Sequence, residues 1–115
     1  MKLSILVPVY NEEDNLPELI RRILGVARGL KRSFEVILID DGSTDGSERI
    51  IKEAVKKNKE MKLIRFNRNY GQHSALFAGF AEAQGDVIVT LDADLQNPPE
   101  EIPKLVAKKI GRAHV

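Results

Sequence analysis

The stretch VIVTLDADLQNPPEE, Val87 to Glu101, presents two acids separated by one residue. In an extended chain residues i and i+2 share a face about 6.5 Å apart, so Asp92 and Asp94 would repel by roughly 2–3 kcal/mol at an effective dielectric near 20. Such a pair holds a cation, shares a proton, or consists of strand-end and turn acids with no further task. Asp94 and the nearby amide oxygen of Gln96 are hard oxygen ligands suited to Mg²⁺ or Mn²⁺. The chain has no Cys and only two separated His residues, which disfavours zinc. A divalent ion at this place would neutralise a diphosphate and assist its departure as a leaving group.

Three further polar clusters invite the same question. In IDDGSTDG, Gly42, Ser43 and Thr44 suit a turn and Asp45 a helix cap. Asp40 closes an apolar run and needs a donor, of which a nucleobase imide or amino hydrogen is one candidate. Tyr10, in YNEED, either stacks on a base or lies as an aromatic lid over the core. In NRNYGQH, Arg68 suits a phosphate or a base and His73 a phosphate or sugar hydroxyl. The plain alternatives are a solvated Arg and a His at a helix end.

The elements that must position these residues follow a regular order. LSILVPV, FEVILID, KLIRF and DVIVTL are apolar and rich in β-branched residues. Each is followed by a polar loop and then by a helical period. The first helix is predicted to bury Leu16, Leu19, Ile20, Ile23, Leu24, Ala27 and Leu30, with Asn15 and Glu18 as a capping box. The second is predicted to be capped by Asp45, with Glu48 three residues on, and to carry Ile50, Ile51, Ala54 and Val55. The third carries Leu76, Phe77 and Phe80. The fourth is predicted to start with Asn97 as cap and Pro98 in the first turn, and to bury Ile102, Leu105 and Val106.

Continuous apolar strands separated by helices imply an α/β fold, a doubly wound parallel sheet covered on both faces, with Ile5, Val7, Ile37, Ile39, Ile88 and Val89 in its core. All four polar clusters then fall at the carboxyl edge of that sheet, where open α/β sheets bind ligands.

Bulk properties bound the possibilities. With 115 residues the chain makes one domain, and 18 basic against 17 acidic side chains give no case for a nucleic-acid partner. No apolar run reaches the length of a membrane span, and the amino-terminal run, broken by Pro8 and followed by acids, is unlike a signal peptide.

Taken in order, VPVYNEEDNLPEL, VILIDDGSTDGS, NRNYGQHSALFAGF and GDVIVTLDADLQNPPEEIPKLV resemble the amino-terminal half of a family 2 glycosyltransferase with the GT-A fold. Within that family they look most like transferases that load sugars onto polyprenyl phosphates. These include dolichyl-phosphate mannose synthases and undecaprenyl-phosphate 4-deoxy-4-formamido-L-arabinose transferases. The resemblance implies inverting transfer from a nucleotide sugar, UDP-linked, to an undecaprenyl or dolichyl phosphate at the cytoplasmic face of a membrane. By matching position, Pro8, Tyr10 and Glu12 would line the nucleotide pocket, Asp40 would bind the base with Asp41 beside it, and Arg68 would contact the nucleotide sugar. Asp92 would face the ribose or the metal, and Asp94 and Gln96 would hold Mg²⁺ or Mn²⁺.

The family's acceptor site, catalytic base and membrane-associating helices lie in its second half. The 115-residue chain is therefore expected to be soluble and inactive alone, and no base is assigned. A nucleotide-binding but inert fragment and a receiver-type phosphoacceptor domain are the alternatives. Residues 1–109 are expected to follow the family pattern. KIGRAHV abandons it: Ile110 to Val115 can be written ATC GGA AGA GCA CAC GTC, a common sequencing-adapter sequence, so 110–115 is expected to be a non-native tail.

Overall fold

The computed structural model of the chain describes residues 2–96, 98–107 and 113–114. In chain order the elements are β1 (Leu3–Val9), α1 (Leu16–Gly29), β2 (Phe34–Asp40), α2 (Ser47–Lys57), β3 (Met61–Arg65), α3 (Gln72–Glu82) and β4 (Val87–Thr90). A 3₁₀ turn (Pro99–Glu101), α4 (Ile102–Ala107) and a two-residue β5 (Ala113–His114) follow. The strands form one parallel sheet in the order β3-β2-β1-β4-β5, with Leu3 opposite both Phe34 and Val87. β5 pairs with β4 through Val87 and Ile88. It falls in the stretch predicted to leave the pattern, and the neighbouring residues 108–112 and 115 lie outside the described ones.

Alternation along β1 divides the core. Leu3, Ile5, Val7 and Val9 face the layer built by α1, α2 and α4, where Leu16, Leu19, Ile23, Ile51 and Ile102 are buried. Leu6, with Ile37, Ile39 and Ile88, faces α3. Both faces being covered, the strands carry apolar residues at nearly every position, and each large side chain fully removed from water contributes about 1.5–3 kcal/mol. The strand order is that of the dinucleotide-binding doubly wound sheet and not the 2-1-3-4-5 order of receiver domains, which removes the receiver-type alternative.

Several local expectations are corrected. Asn15 caps nothing: it has helical backbone angles, and its side-chain amide donates to Glu12 Oε2 at 3.0 Å, so the Asn15–Glu18 box is absent. In α3 it is Ala75 and Gly79 that are buried, whereas Phe77 is 78% exposed; small residues let the helix lie close on the sheet and leave the larger one outside. Pro98 is extended and the chain makes a 3₁₀ turn before α4 starts at Ile102; Asn97 lies outside the described residues. β4 ends at Thr90, so Asp92 and Asp94 belong to the following turn rather than to one strand face.

Candidate functional site

The order of the strands reverses between β1 and β4, and a cleft of about 490 Å³ opens there at the carboxyl edge. β1 and its loop contribute Pro8, Tyr10 and Glu12; the end of β2 contributes Asp41; the loop into α3 contributes Asn69, Gly71 and Gln72; the turn after β4 contributes Asp92, Asp94 and Gln96. Tyr10 is half exposed at this cleft, so it is not a lid over the core.

The walls are held by hydrogen bonds between loops. The Asn11 N–H donates to Ser43 Oγ at 2.9 Å, and Asn11 Oδ1 accepts from the Thr44 and Asp45 amides at 2.8 and 3.3 Å. The Glu13 N–H donates to Asp45 Oδ2, and the Gly46 N–H donates back to Glu13 Oε2. The buried Ser47 Oγ accepts from the Glu12 amide at 3.0 Å. Burial pushes the Asp45 carboxyl upward, but hydrogen bonds from Ser47 and from the Glu13 amide outweigh it and leave Asp45 below the usual carboxylate range. Asp45 is not the cap of α2 expected from the sequence: Gly46 holds that position without a side-chain cap bond, and Asp45 Oδ1 instead accepts from the Ser47 amide at 2.9 Å in the turn leading into the helix.

Asp41 ties in the third loop. Its Oδ1 accepts from the Tyr70 amide at 2.8 Å, and its Oδ2 accepts from the Gly71 amide at 3.0 Å and from Asn69 Nδ2 at 3.3 Å. Gly42 completes the junction. It has φ +75°, and a Cβ there would fall 2.2 Å from the Arg68 carbonyl carbon. Only glycine fits both the backbone angle and the approach.

Asp40 and Arg68 are not brought to the cleft wall. Asp40 is 1% exposed, and the donor that a strand-closing acid requires is the Ser43 amide of its own turn, at 3.0 Å. The Arg68 guanidinium lies over the Tyr70 ring, 5.0 Å from its centroid. His73 lines a separate shallow groove with Phe77.

The electrostatic character of the cleft is lopsided. Glu12, Asp41, Asp92 and Asp94 line it and, among the described residues, no Lys, Arg or His does. No three His, Cys, Asp or Glu side chains among the described residues form a ready-made metal centre. Asp92, Asp94 and Gln96 supply two carboxylates and one amide, a set that suits a hard divalent ion completing its shell with ligand and water oxygens. Asp94 Oδ1 accepts from the Gln96 amide at 3.1 Å, which folds the turn so that both side chains meet one cavity.

Asn11, Glu13, Ser47, Asn69 and Gln72 were not singled out from the sequence. Their signal was present in part: adjacent parallel strands put their carboxyl-end loops side by side, so polar residues in neighbouring loops are partners for one another.

A doubly wound sheet with a cleft at its switch point has the arrangement in which open α/β sheets bind ligands. The chain belongs to glycosyl transferase family 2, whose model matches residues 4–113. It is 56% identical over 108 residues to the undecaprenyl-phosphate 4-deoxy-4-formamido-L-arabinose transferase of Klebsiella pneumoniae, covering 93% of this chain and 33% of that protein. The chain thus spans about a third of the length of that curated relative. Among solved structures it is similar to S. aureus TarS 1–349 in complex with UDP-GlcNAc, with a TM-score of 0.76 and 26% identity over 94% of this chain and 30% of that one. It is likewise similar to glucosyl-3-phosphoglycerate synthase from Mycobacterium tuberculosis in complex with Mn²⁺, UDP and glucosyl-3-phosphoglycerate. There the TM-score is 0.75 and the identity 29%, over 92% of this chain and 38% of that one.

Proposed function

We propose that this chain is the donor-binding part of a glycosyltransferase that uses a UDP-sugar and Mg²⁺ or Mn²⁺ and passes the sugar, with inversion, to a polyprenyl phosphate. The observation that carries the reading is the cleft itself: four carboxylates and, among the described residues, no basic side chain line a cavity that, in this family, would receive a diphosphate. Two structural relatives that hold UDP or UDP-GlcNAc support the choice of uridine, and one of them holds Mn²⁺. The acceptor follows from the name of the 56% identical relative.

In this reading Tyr10 stacks on the base, while Pro8 and Glu12 shape the nucleotide pocket. Asp40, buried, sets the turn that carries Ser43. Asp92, Asp94 and Gln96 hold the divalent ion, whose charge offsets that of the diphosphate and stabilises it as leaving group. Arg68, exposed at the rim, reaches the nucleotide sugar only by leaving the Tyr70 ring. No base is assigned, and membrane association is a property of the larger protein; no helix among the described residues is long and apolar enough to cross a membrane.

The test is a donor and acceptor panel. The 115-residue chain should bind UDP in preference to GDP in the presence of Mn²⁺ and form no glycosyl-lipid from UDP-sugars and undecaprenyl phosphate, because the acceptor is unpositioned. Preference for GDP would overturn the uridine assignment, and glycosyl-lipid above a no-protein control would show that the catalytic machinery has been misplaced.

A further inference from the structure

α3 begins at Gln72, directly after a residue that only glycine accommodates well. Gly71 has φ +104° and ψ 159°, a region almost closed to side-chain-bearing residues, and a Cβ there would meet nothing within 4 Å. Backbone conformation, not space, therefore calls for glycine. The cause of that conformation is Asp41, whose two oxygens draw the Tyr70 and Gly71 amides inward at 2.8 and 3.0 Å. The result is that Gln72 lines the cleft, whereas the next residue, His73, lines the groove on the other side of the helix start.

Gln72 Nε2 donates to Asp92 Oδ1 at 3.3 Å. A carboxylate only accepts, so it is the amino end of the amide that faces Asp92. We propose that Gln72 is a positioning residue for Asp92, aimed by the Asp41 clasp and fixing the rotation of the Asp92 carboxylate toward the ligand. This rests on the reading of the cleft as a site for UDP and a divalent ion.

The choice of side chain has a physical logic. Lys or Arg at this place would orient Asp92 equally well but would bring a full positive charge beside the ion it competes with, and a carboxylate would add repulsion. A neutral donor constrains the acid and leaves its charge available. The anchor is firm: Ala75 and Gly79, one and two turns further along α3, are buried against the sheet, so the start of the helix cannot drift without disturbing Leu6 and Ile39.

The experiment compares Gln72→Met, similar in length but without a donor, with Gln72→Ala, both measured by calorimetric titration of UDP at fixed Mn²⁺ and of Mn²⁺ at fixed UDP. Gln72 is exposed, so thermal midpoints without ligand should stay at the wild-type value. Both variants should raise the UDP Kd and the Mn²⁺ midpoint by about tenfold, the low end of what loss of an outer-shell partner produces. If wild-type protein binds UDP with Mn²⁺ and Gln72→Met matches it, the donor is irrelevant and the inference fails, whether or not Gln72→Ala is impaired. If wild-type protein shows no Mn²⁺-dependent UDP binding, the reading of the cleft fails and this inference with it.

Discussion

Carboxylates stand at both edges of this sheet, and the two edges treat them differently. At the amino edge Glu35 is 2% exposed, yet every approach to it is a donor. Its Oε2 accepts from Ser4 Oγ at 2.6 Å and from the Gln84 amide at 2.7 Å, and its Oε1 accepts from Lys62 Nζ at 2.8 Å. Ser4 Oγ in turn accepts from the Gly85 amide at 2.8 Å. Burial pushes the Glu35 carboxyl up, but these bonds and the Lys62 charge outweigh it and leave it below the usual range. One acid thereby joins β1, β2, β3 and the approach to β4. At the carboxyl edge the chain brings acids to a cleft that, among the described residues, no Lys, Arg or His lines. A buried acid given its own donors, Glu35 at one edge or Asp41 at the other, is a clasp; Glu12, Asp92 and Asp94, gathered at a cleft, make a site for something that arrives with charge.

If that contrast holds, damage at the amino edge should cost stability and leave recognition alone. Glu35→Ala strands the Gln84 amide and the Ser4 hydroxyl, and should lower unfolding free energy by roughly 2–4 kcal/mol in urea melts, while UDP affinity per folded molecule stays unchanged. A variant that lost affinity in proportion would join the two edges and break the comparison.

Gly42→Ala tests the carboxyl edge as a built rim. The added methyl meets the Arg68 backbone at a positive φ, so one of two loops must shift. Strain of about 1–3 kcal/mol is expected, with UDP binding weakened in step, since the displaced loop carries Asn69, Gly71 and Gln72. Asp94→Asn should do the reverse. Stability should change by less than about 0.5 kcal/mol, as for most exposed substitutions, while Mn²⁺-dependent UDP affinity falls by at least about tenfold.

The smallest effect concerns acid. The Arg22 guanidinium, hydrogen-bonded to Glu100, holds that carboxyl down to about 2, tying α1 to the turn before α4. A depressed carboxyl stabilises the fold above its unfolded value of 4.5 and loses that contribution as pH falls from there toward 2. Thermal midpoints across that window should therefore drop slightly less steeply in Glu100→Gln than in the wild type.

The sequence made the sheet and the edge legible, because apolar runs separated by helical periods admit few other arrangements. It made Tyr10, Asp92, Asp94 and Gln96 legible as neighbours, since loops after parallel strands converge, whereas Pro8 and Glu12 were named only through the family resemblance. What it hid were the partners. Asp40 satisfied by Ser43, Asp41 by the Tyr70 and Gly71 amides, and Arg68 by the Tyr70 ring all depend on loop conformations, including the left-handed Asn11 at φ 52° and Gly71 at φ 104°. Hydrophobic periodicity carries no information about those angles. Glu35 was overlooked for the related reason that a Glu at a strand start reads as solvated until its three donors are in place.

The most direct test of the central claim is calorimetric titration of UDP into the wild-type chain with Mn²⁺ and again with the metal chelated. An acidic cleft lined with few cations predicts binding with the ion and a loss of at least about tenfold without it, by the measure of metal-site perturbations elsewhere. Equal affinity in both titrations would contradict the account, because UDP would then be held by groups other than Asp92, Asp94 and Gln96.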